Sequence, residues 1–173
     1  MKGTRTFIFV KVRVPFVGGQ MNWKIAVIGG VAYYATFFLL SMIGGSFIHA
    51  PEGVLGPLYR EFPEFWRPEL NADPPDMAAL MKMWVPIGLL SSFLLAGIYS
   101  VIRSAFAGSG VARGLKFGVV SWTFGLVAAL GYWGILNLPN KIWAWWLIEG
   151  IWMHLIAGAV LGWVAQKIAP ANA

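Results

Sequence analysis

One acidic side chain lies at membrane depth in the last apolar stretch of this sequence. Glu149 sits within residues 142–166, which are otherwise uncharged. A carboxylate at the centre of a bilayer costs at least about 2.5 kcal/mol on insertion scales, so it must be shielded, protonated or paired. Such carboxylates serve as proton relays and cation sites, and they also form hydrogen bonds or ion pairs that fix helix register. Glu149 is therefore the leading candidate for function, with the structural role as its alternative.

The partner of Glu149 must come from another helix. His154 follows on the same helix, but five residues turn it by roughly 140° at 3.6 residues per turn, so the two side chains do not share a face. Lys82 is expected at the same end of its span as Glu149, which makes a Glu149–Lys82 pair geometrically plausible. The candidate partners by residue type are Lys82, Tyr33, Tyr34, Tyr99, Ser91 and Ser92.

His154 and the deep aromatic residues allow a second kind of site. The imidazole of His154 could ligate haem, chlorophyll or a metal, or it could be a neutral side chain hydrogen-bonded across a glycine-lined helix contact. Two deep tryptophans could stack on a flat apolar ligand, or they could simply fill the core. The candidates for ligand or proton binding are therefore Glu149, His154, Lys82, Tyr99, Trp122 and Trp152.

Four charge-free runs supply the elements that must position these side chains. Each run reaches the roughly 20 apolar residues that a spanning helix requires. Charged residues make up only 12% of the sequence, against about 25% in soluble domains. We predict an all-α polytopic membrane protein, an antiparallel bundle of four transmembrane helices with a short outer-loop lid. The membrane domain covers residues 25–167, with spans at about 25–48, 80–102, 115–137 and 142–166 and the outer loop at 49–79.

Residues 1–24 form a basic segment before the first span. Lys11 and Arg13 alternate with valines there, which is typical of a strand-like or interfacial segment. The segment is too short for a domain. Met21 stands just before the membrane run, so translation starting at Met21 is an alternative.

The charges of the connections predict how the chain is threaded. Basic residues without acids precede the first span and join the second to the third, whereas the connection after the first span carries six acids and two arginines. Lysine and arginine favour the cytoplasmic side. Both termini are therefore predicted in the cytoplasm of a multi-pass protein of the cell inner membrane. The first run exceeds the 7–15 residues of a signal-peptide core, which disfavours cleavage.

Small residues at four-residue spacing predict how the spans pack. Helices in lipid associate where small side chains let their backbones approach. Such residues recur on the fourth span around a GxxxG pair, and the second and third spans carry similar stripes. The predicted helix-packing positions are Gly150, Gly158, Gly162, Gly125, Ser92 and Ala96.

Several classes of chemistry lack support in the sequence. It contains no cysteine, which excludes disulfides, thiolate nucleophiles and Cys-ligated metals. No Walker, GxSxG, HExxH or GxGxxG pattern occurs, so an enzymatic role is not indicated. The net charge of +6 is distributed by topology rather than on one surface, and no nucleic-acid partner is predicted. The acidic outer loop lacks EF-hand spacing, and no metal site is predicted.

Short motifs along the chain resemble a known class of protein. They are residues 21–24 (MNWK), 65–69 (FWRPE), the Met-rich 77–83, 114–118 (GLKFG), 137–139 (NLP) and the span from Glu149 to Gly162. The chain resembles small uncharacterised four-helix integral membrane proteins of bacteria, of the domain-of-unknown-function type. The resemblance implies the four-helix architecture and a bacterial inner membrane, and it implies no activity or cofactor.

Three functions are compatible with these observations. The first prediction is an accessory or structural component of a membrane assembly, with lipid, partner subunits or a second copy as its partners. The alternative is a small proton- or cation-coupled carrier, or a lipophilic-ligand-binding protein, that uses Glu149. The third is an intramembrane pigment or haem protein that uses His154.

Overall fold

The computed structural model describes residues 20–170 of the chain. Residues 1–19 and 171–173 lie outside the described part, and with them most of the predicted strand-like or interfacial segment. Between residues 20 and 170 the chain is helical and contains no strand. The all-helical prediction is therefore confirmed for the described residues.

Four helices are long and apolar enough to cross a membrane, as predicted. They are α1 (Ile25–His49), α4 (Met77–Ala105), α5 (Gly110–Trp133) and α6 (Asn140–Ile168). The first turn and the last turn of α1 are wide π-helical turns, Ile25–Gly29 and Gly45–His49. The second of these turns ends the helix at His49, and Pro51 follows two residues later.

Helix α5 begins earlier than the sequence suggested, at Gly110 rather than at about residue 115. The Ser109 side chain accepts a hydrogen bond from the backbone N–H of Ala112 and caps the helix. Arg113 and Lys116 therefore belong to the first turns of α5. A search for charge-free runs excludes such residues, although long basic side chains at a helix end can extend towards water.

The connection between α1 and α4 contains two short helices. These are α2 (Gly56–Glu61) and α3 (Pro68–Asn71), and a single 3₁₀ turn, Pro63–Phe65, lies between them. All three begin with a proline at the first or second position, where its missing N–H costs nothing. Asp76 then caps α4 by accepting a hydrogen bond from the backbone N–H of Ala79.

Helices α5 and α6 approach each other most closely through glycines. A Cβ atom added at Gly114 would lie 2.0 Å from the carbonyl oxygen of Gly158, and one at Gly162 would lie 2.0 Å from that of Gly110. The structure thus places Gly158 and Gly162 in a backbone-to-backbone contact that no larger residue fits. Further along the two helices, the Trp122 ring lies against Gly150. A Cβ atom added at Gly150 would lie 3.3 Å from this ring.

The predicted contact at Gly125 is corrected by the structure. No atom outside its own local backbone lies within 4 Å of a Cβ added there, and the residue is exposed. The glycine stripe that meets α6 runs through Gly110, Gly114 and Gly118 instead, and the bulky Trp122 then separates the two backbones. Gly125 lies beyond this point, where close approach has ended.

Helices α1 and α4 form a second close pair. Phe93 packs on Gly30, Tyr34 packs on Gly88, and the backbone N–H of Asn22 donates to the Ser100 hydroxyl at 3.1 Å. The predicted packing positions Ser92 and Ala96 are both buried in α4. Ala96 joins the main core cluster with Tyr33, Tyr99, Phe117 and Leu161, so that cluster draws on α1, α4, α5 and α6.

The contacts define two ends of the helical unit. At one, which we call the Arg103 end, the Arg103 guanidinium donates to the carbonyl oxygen of Ala169 at 2.7 Å, and the backbone N–H of Gly110 donates to the Gln166 side chain at 2.7 Å. At the other, the Glu149 end, the connection that carries α2 packs against the beginning of α6.

Candidate functional site

The partner of Glu149 is His49, the last residue of α1. The His49 Nε2 atom lies 2.7 Å from the Glu149 Oε2 atom. The Glu149 side chain is 9% exposed and that of His49 is 30% exposed, so the pair is buried on one side and open on the other. The pair joins α1 to α6 across 100 residues of sequence.

Two further side chains extend this pair into a chain of hydrogen bonds. The His49 Nδ1 atom lies 2.7 Å from the Tyr59 hydroxyl, and the two rings stack with their centroids 5.7 Å apart. Trp146 Nε1–H donates to the same hydroxyl at 2.9 Å. Because the indole can only donate, a consistent arrangement has Tyr59 donating to Nδ1 and His49 donating from Nε2–H to Glu149. Each donor in this chain then points towards the carboxylate.

Apolar packing holds the connection against α6 at this point. Leu55 is fully buried with Ile142 and Trp143, and its backbone N–H donates to the carbonyl of Ile48 at 2.8 Å. This packing positions α2, and the Tyr59 that it carries, over the end of α1. Trp66 adds a bond from its indole N–H to the Tyr59 carbonyl at 2.9 Å.

The second oxygen of Glu149 lies against a glycine. A Cβ atom at Gly44 would displace Glu149 Oε1, so glycine at this position lets the carboxylate lie directly against α1. The hydrogen bond to His49 is made by Oε2. The other oxygen, Oε1, accepts no hydrogen bond from the described residues. Glu149 therefore has one oxygen hydrogen-bonded to His49 and one oxygen without a donor among the described residues.

An open cleft of about 290 Å³ borders the pair. Its walls are mostly apolar, with His49, Glu149 and the Ser41 hydroxyl as the polar groups. The lining residues are Phe37, Ser41, His49, Trp146, Glu149, Gly150 and Met153. This volume is at the lower limit of the roughly 300–1,000 Å³ of drug-sized pockets, so a ligand here must be small.

The predicted Glu149–Lys82 pair is corrected by this geometry. Lys82 is exposed on the first turns of α4, while the carboxylate faces His49. Tyr99 lies at the Arg103 end, away from the cleft, so it cannot line a common pocket with Glu149. Three residues of this site, His49, Tyr59 and Trp146, were not among those predicted to carry function.

His154 belongs to a separate hydrogen bond deeper in the helical unit. Its Nδ1 atom is hydrogen-bonded to the Tyr33 hydroxyl, and its ring centroid lies 5.2 Å from that of Phe37. The His154 carbonyl packs on Gly118, so this is the glycine-lined contact that one of the two sequence hypotheses described.

The two deep tryptophans make contacts between helices. Trp122 donates from its indole N–H to the carbonyl of Leu147 at 3.0 Å, which fixes α5 against α6. Trp152 lies beside Gly44 of α1, 3.8 Å from a Cβ placed there. Neither residue lines the cleft.

The Tyr59 phenol is held in its protonated form. Burial raises the pKa of Tyr59 from 10.0 to about 12, and the charge of Glu149 adds to the rise while the hydrogen bond from Trp146 opposes it. A raised pKa means that the unfolded chain loses this proton first as the pH increases. The stabilisation by Tyr59 is therefore complete below pH 10 and is lost as the pH rises towards about 12.

An alkaline titration should show this shift directly. We expect the ultraviolet difference spectrum between the wild type and Tyr59→Phe to report tyrosinate formation near pH 12. In a Glu149→Gln background the same difference should appear at lower pH, because the negative charge has been removed. Tyr132→Phe is the control, since Tyr132 is 58% exposed. A Tyr59 transition at pH 10 in the wild type would contradict the buried hydrogen-bond chain.

Neither a metal site nor a similar protein assigns a function to this chain. Within residues 20–170 no group of three or more His, Cys, Asp or Glu side chains is placed to hold a metal ion. No family model, curated protein or solved structure matches the chain. The resemblance to bacterial four-helix membrane proteins therefore stays a prediction.

Proposed function

We propose that this chain is a small-ligand-binding membrane protein in which Glu149 takes up a small cationic group from the cleft. The observation that carries this proposal is the position of the Glu149–His49 pair on the wall of an open cleft. A carboxylate whose only role was to fix helix register would be expected to have both oxygens engaged and closed off. Here Oε1 has no donor among the described residues.

The cleft suits a cation of small size. Glu149 is the only acidic residue among the described residues that line the cleft, so it is the group that would attract a cation there. Trp146 supplies an aromatic face nearby, and cations are attracted to such faces. The apolar walls formed by Phe37 and Met153 would accept alkyl groups on the cation.

The setting that we propose is a bacterial inner membrane. Four antiparallel helices would cross it, with the Arg103 end and both termini in the cytoplasm and the Glu149 end outside. Support comes from the distribution of charge, because the acids other than Glu149 all fall between Glu52 and Asp76. The cleft would then open on the outer side of the membrane.

A titration with tetramethylammonium tests the binding proposal. We expect tetramethylammonium to change the tryptophan fluorescence of the wild type saturably in neutral detergent. In Glu149→Gln we expect a loss of affinity of about tenfold or more, because the attraction between the cation and the carboxylate is removed. Glu64→Gln is the matched control, because Glu64 is an exposed acid in the connection between α1 and α4 and the substitution removes the same charge. No saturable binding by the wild type, or equal binding by Glu149→Gln, would overturn the proposal.

A second proposal is that the chain is an accessory subunit of a membrane assembly. The observation that favours it is the open space beside Gly125 of α5, where another helix could approach closely. Extraction at native abundance in mild detergent tests this proposal, and a defined hetero-complex is the expected result. A chain that purifies alone would contradict it.

A further inference from the structure

A second cavity lies at the Arg103 end, between α4, α5 and α6. Its volume is about 220 Å³, and two arginines, Arg103 and Arg113, line it together with Tyr99 and Gln166. No acidic residue is among its lining groups. This cavity is separate from the cleft beside Glu149, with which it shares no residue.

The two arginines differ in their hydrogen bonds. Arg103 donates to the carbonyl oxygens of Ala169 and Ala165, at 2.7 and 3.4 Å, and so satisfies the last turn of α6. The Nε atom of Arg113 is buried and has no hydrogen-bond partner among the described residues. A buried donor without an acceptor is costly, and a charged one more so.

The chain has no acidic side chain with which to neutralise this cavity. Its seven acids are Glu149 and the six between Glu52 and Asp76, which belong to the Glu149 end. Residues 77–148 and 150–173 contain only basic charged side chains, and so do residues 1–24. Because no acidic side chain among the described residues lines this cavity, an anion from outside the chain is the candidate partner for Arg113.

We propose that this cavity binds one phosphate group, through the guanidinium of Arg113 with Arg103 beside it. Guanidinium donors match the geometry of phosphate oxygens and can bind two of them at once. The cavity is smaller than the roughly 300 Å³ at which drug-sized pockets begin, so it would hold a phosphate but not a nucleotide. The phosphate comes from an anionic phospholipid headgroup or from free inorganic phosphate, and both offer the same oxygens. Basic pockets between membrane helices bind anionic headgroups in this way.

The test uses the full chain in a neutral detergent and two probes, phosphatidylglycerol and inorganic phosphate. Native mass spectrometry measures retained phosphatidylglycerol, and calorimetry measures inorganic phosphate. We expect Arg113→Gln to weaken binding about tenfold, as loss of a charge-assisted hydrogen bond requires. Lys116→Gln is the matched control: it removes the same charge from α5, but Lys116 is exposed and donates to the Ala107 carbonyl. Its affinity should stay within about twofold of the wild type.

The outcomes distinguish a lipid headgroup from free phosphate as the ligand, and they also test whether the cavity binds phosphate at all. Saturable binding of phosphatidylglycerol alone assigns the site to lipid, and displacement of that lipid by inorganic phosphate assigns it to the phosphate group in either form. If Arg113→Gln does not fold, Arg113→Lys keeps the charge and should weaken binding several-fold, because lysine cannot bind two oxygens. No saturable binding of either probe, or equal losses in Arg113→Gln and Lys116→Gln, would overturn the proposal. Wild-type affinity in Arg113→Lys would also overturn it.

Discussion

Replacing Glu149 with alanine is expected to release the α2 connection from the end of α1 and to lower the free energy of unfolding by about 2 kcal/mol. The physical reason is the chain of donors that ends on this carboxylate. Without it, His49 Nε2–H has no acceptor, and Tyr59 and Trp146 lose the group that aligns them. The estimate is below the 3–5 kcal/mol of a fully buried broken pair because His49 is partly exposed.

Proteolysis of the connection measures this release. Trypsin should cleave after Arg60 faster in Glu149→Ala than in the wild type, because Arg60 lies in α2, within the connection that the pair holds. Glu64→Ala is the control, and its cleavage rate should match that of the wild type. Equal cleavage in Glu149→Ala and the wild type would show that the pair does not hold the connection.

Glutamine at the same position separates stability from binding. The amide oxygen of Glu149→Gln can still accept from His49 Nε2–H, so most of the stability should remain. Its charge is gone, so affinity for a cation should fall as far as in Glu149→Ala. Stability thus follows the hydrogen bond, whereas binding follows the charge.

Leucine at Gly114 is expected to cost about 3 kcal/mol or to prevent folding. Even a Cβ atom at this position would lie 2.0 Å from the carbonyl oxygen of Gly158, so α5 and α6 must separate along their closest contact. Equilibrium unfolding in mixed micelles, followed by circular dichroism, measures the loss.

Gly125→Leu is the matched control for this contact. It adds the same side chain to the same helix, where no neighbouring atom lies within 4 Å of the new Cβ. We expect its stability to stay within about 0.5 kcal/mol of the wild type. Similar losses in the two variants would mean that the added side chain itself, and not the glycine contact, controls the effect, since leucine has a higher helix propensity than glycine.

The spans could be predicted from the sequence because their signal is local. Length, hydropathy and the absence of charge suffice to find a helix long enough to cross a membrane. Charged residues near the helix ends made the predicted bounds inaccurate. In α5, Arg113 and Lys116 lie inside the helix, so the predicted span began too late. Capping by Ser109 was the available signal for the true beginning.

The site could be predicted only in part. Glu149 was found because a single acid in an apolar run is conspicuous, but its partner lies 100 residues away. The comparison of depths that favoured Lys82 applies equally to His49, which ends α1 at the same end. The choice between them depends on the π turn at the end of α1 and on the docking of α2, and neither is encoded by a local pattern.

Small-residue stripes were equally incomplete as predictors. Every span carries one, and the sequence alone does not tell which stripe meets which helix. Gly158 and Gly162 lie in the contact, whereas Gly125 lies outside it because Trp122 separates the helices first. Helix crossing is a tertiary property, and four-residue spacing does not contain it.

Infrared difference spectroscopy on addition of tetramethylammonium is the most direct test of the central claim, that Glu149 is an accessible carboxylate that binds a cation. The account predicts a shift of carboxylate bands in the wild type and in Glu64→Gln, and no such shift in Glu149→Gln. Retention of the same bands in Glu149→Gln would contradict it.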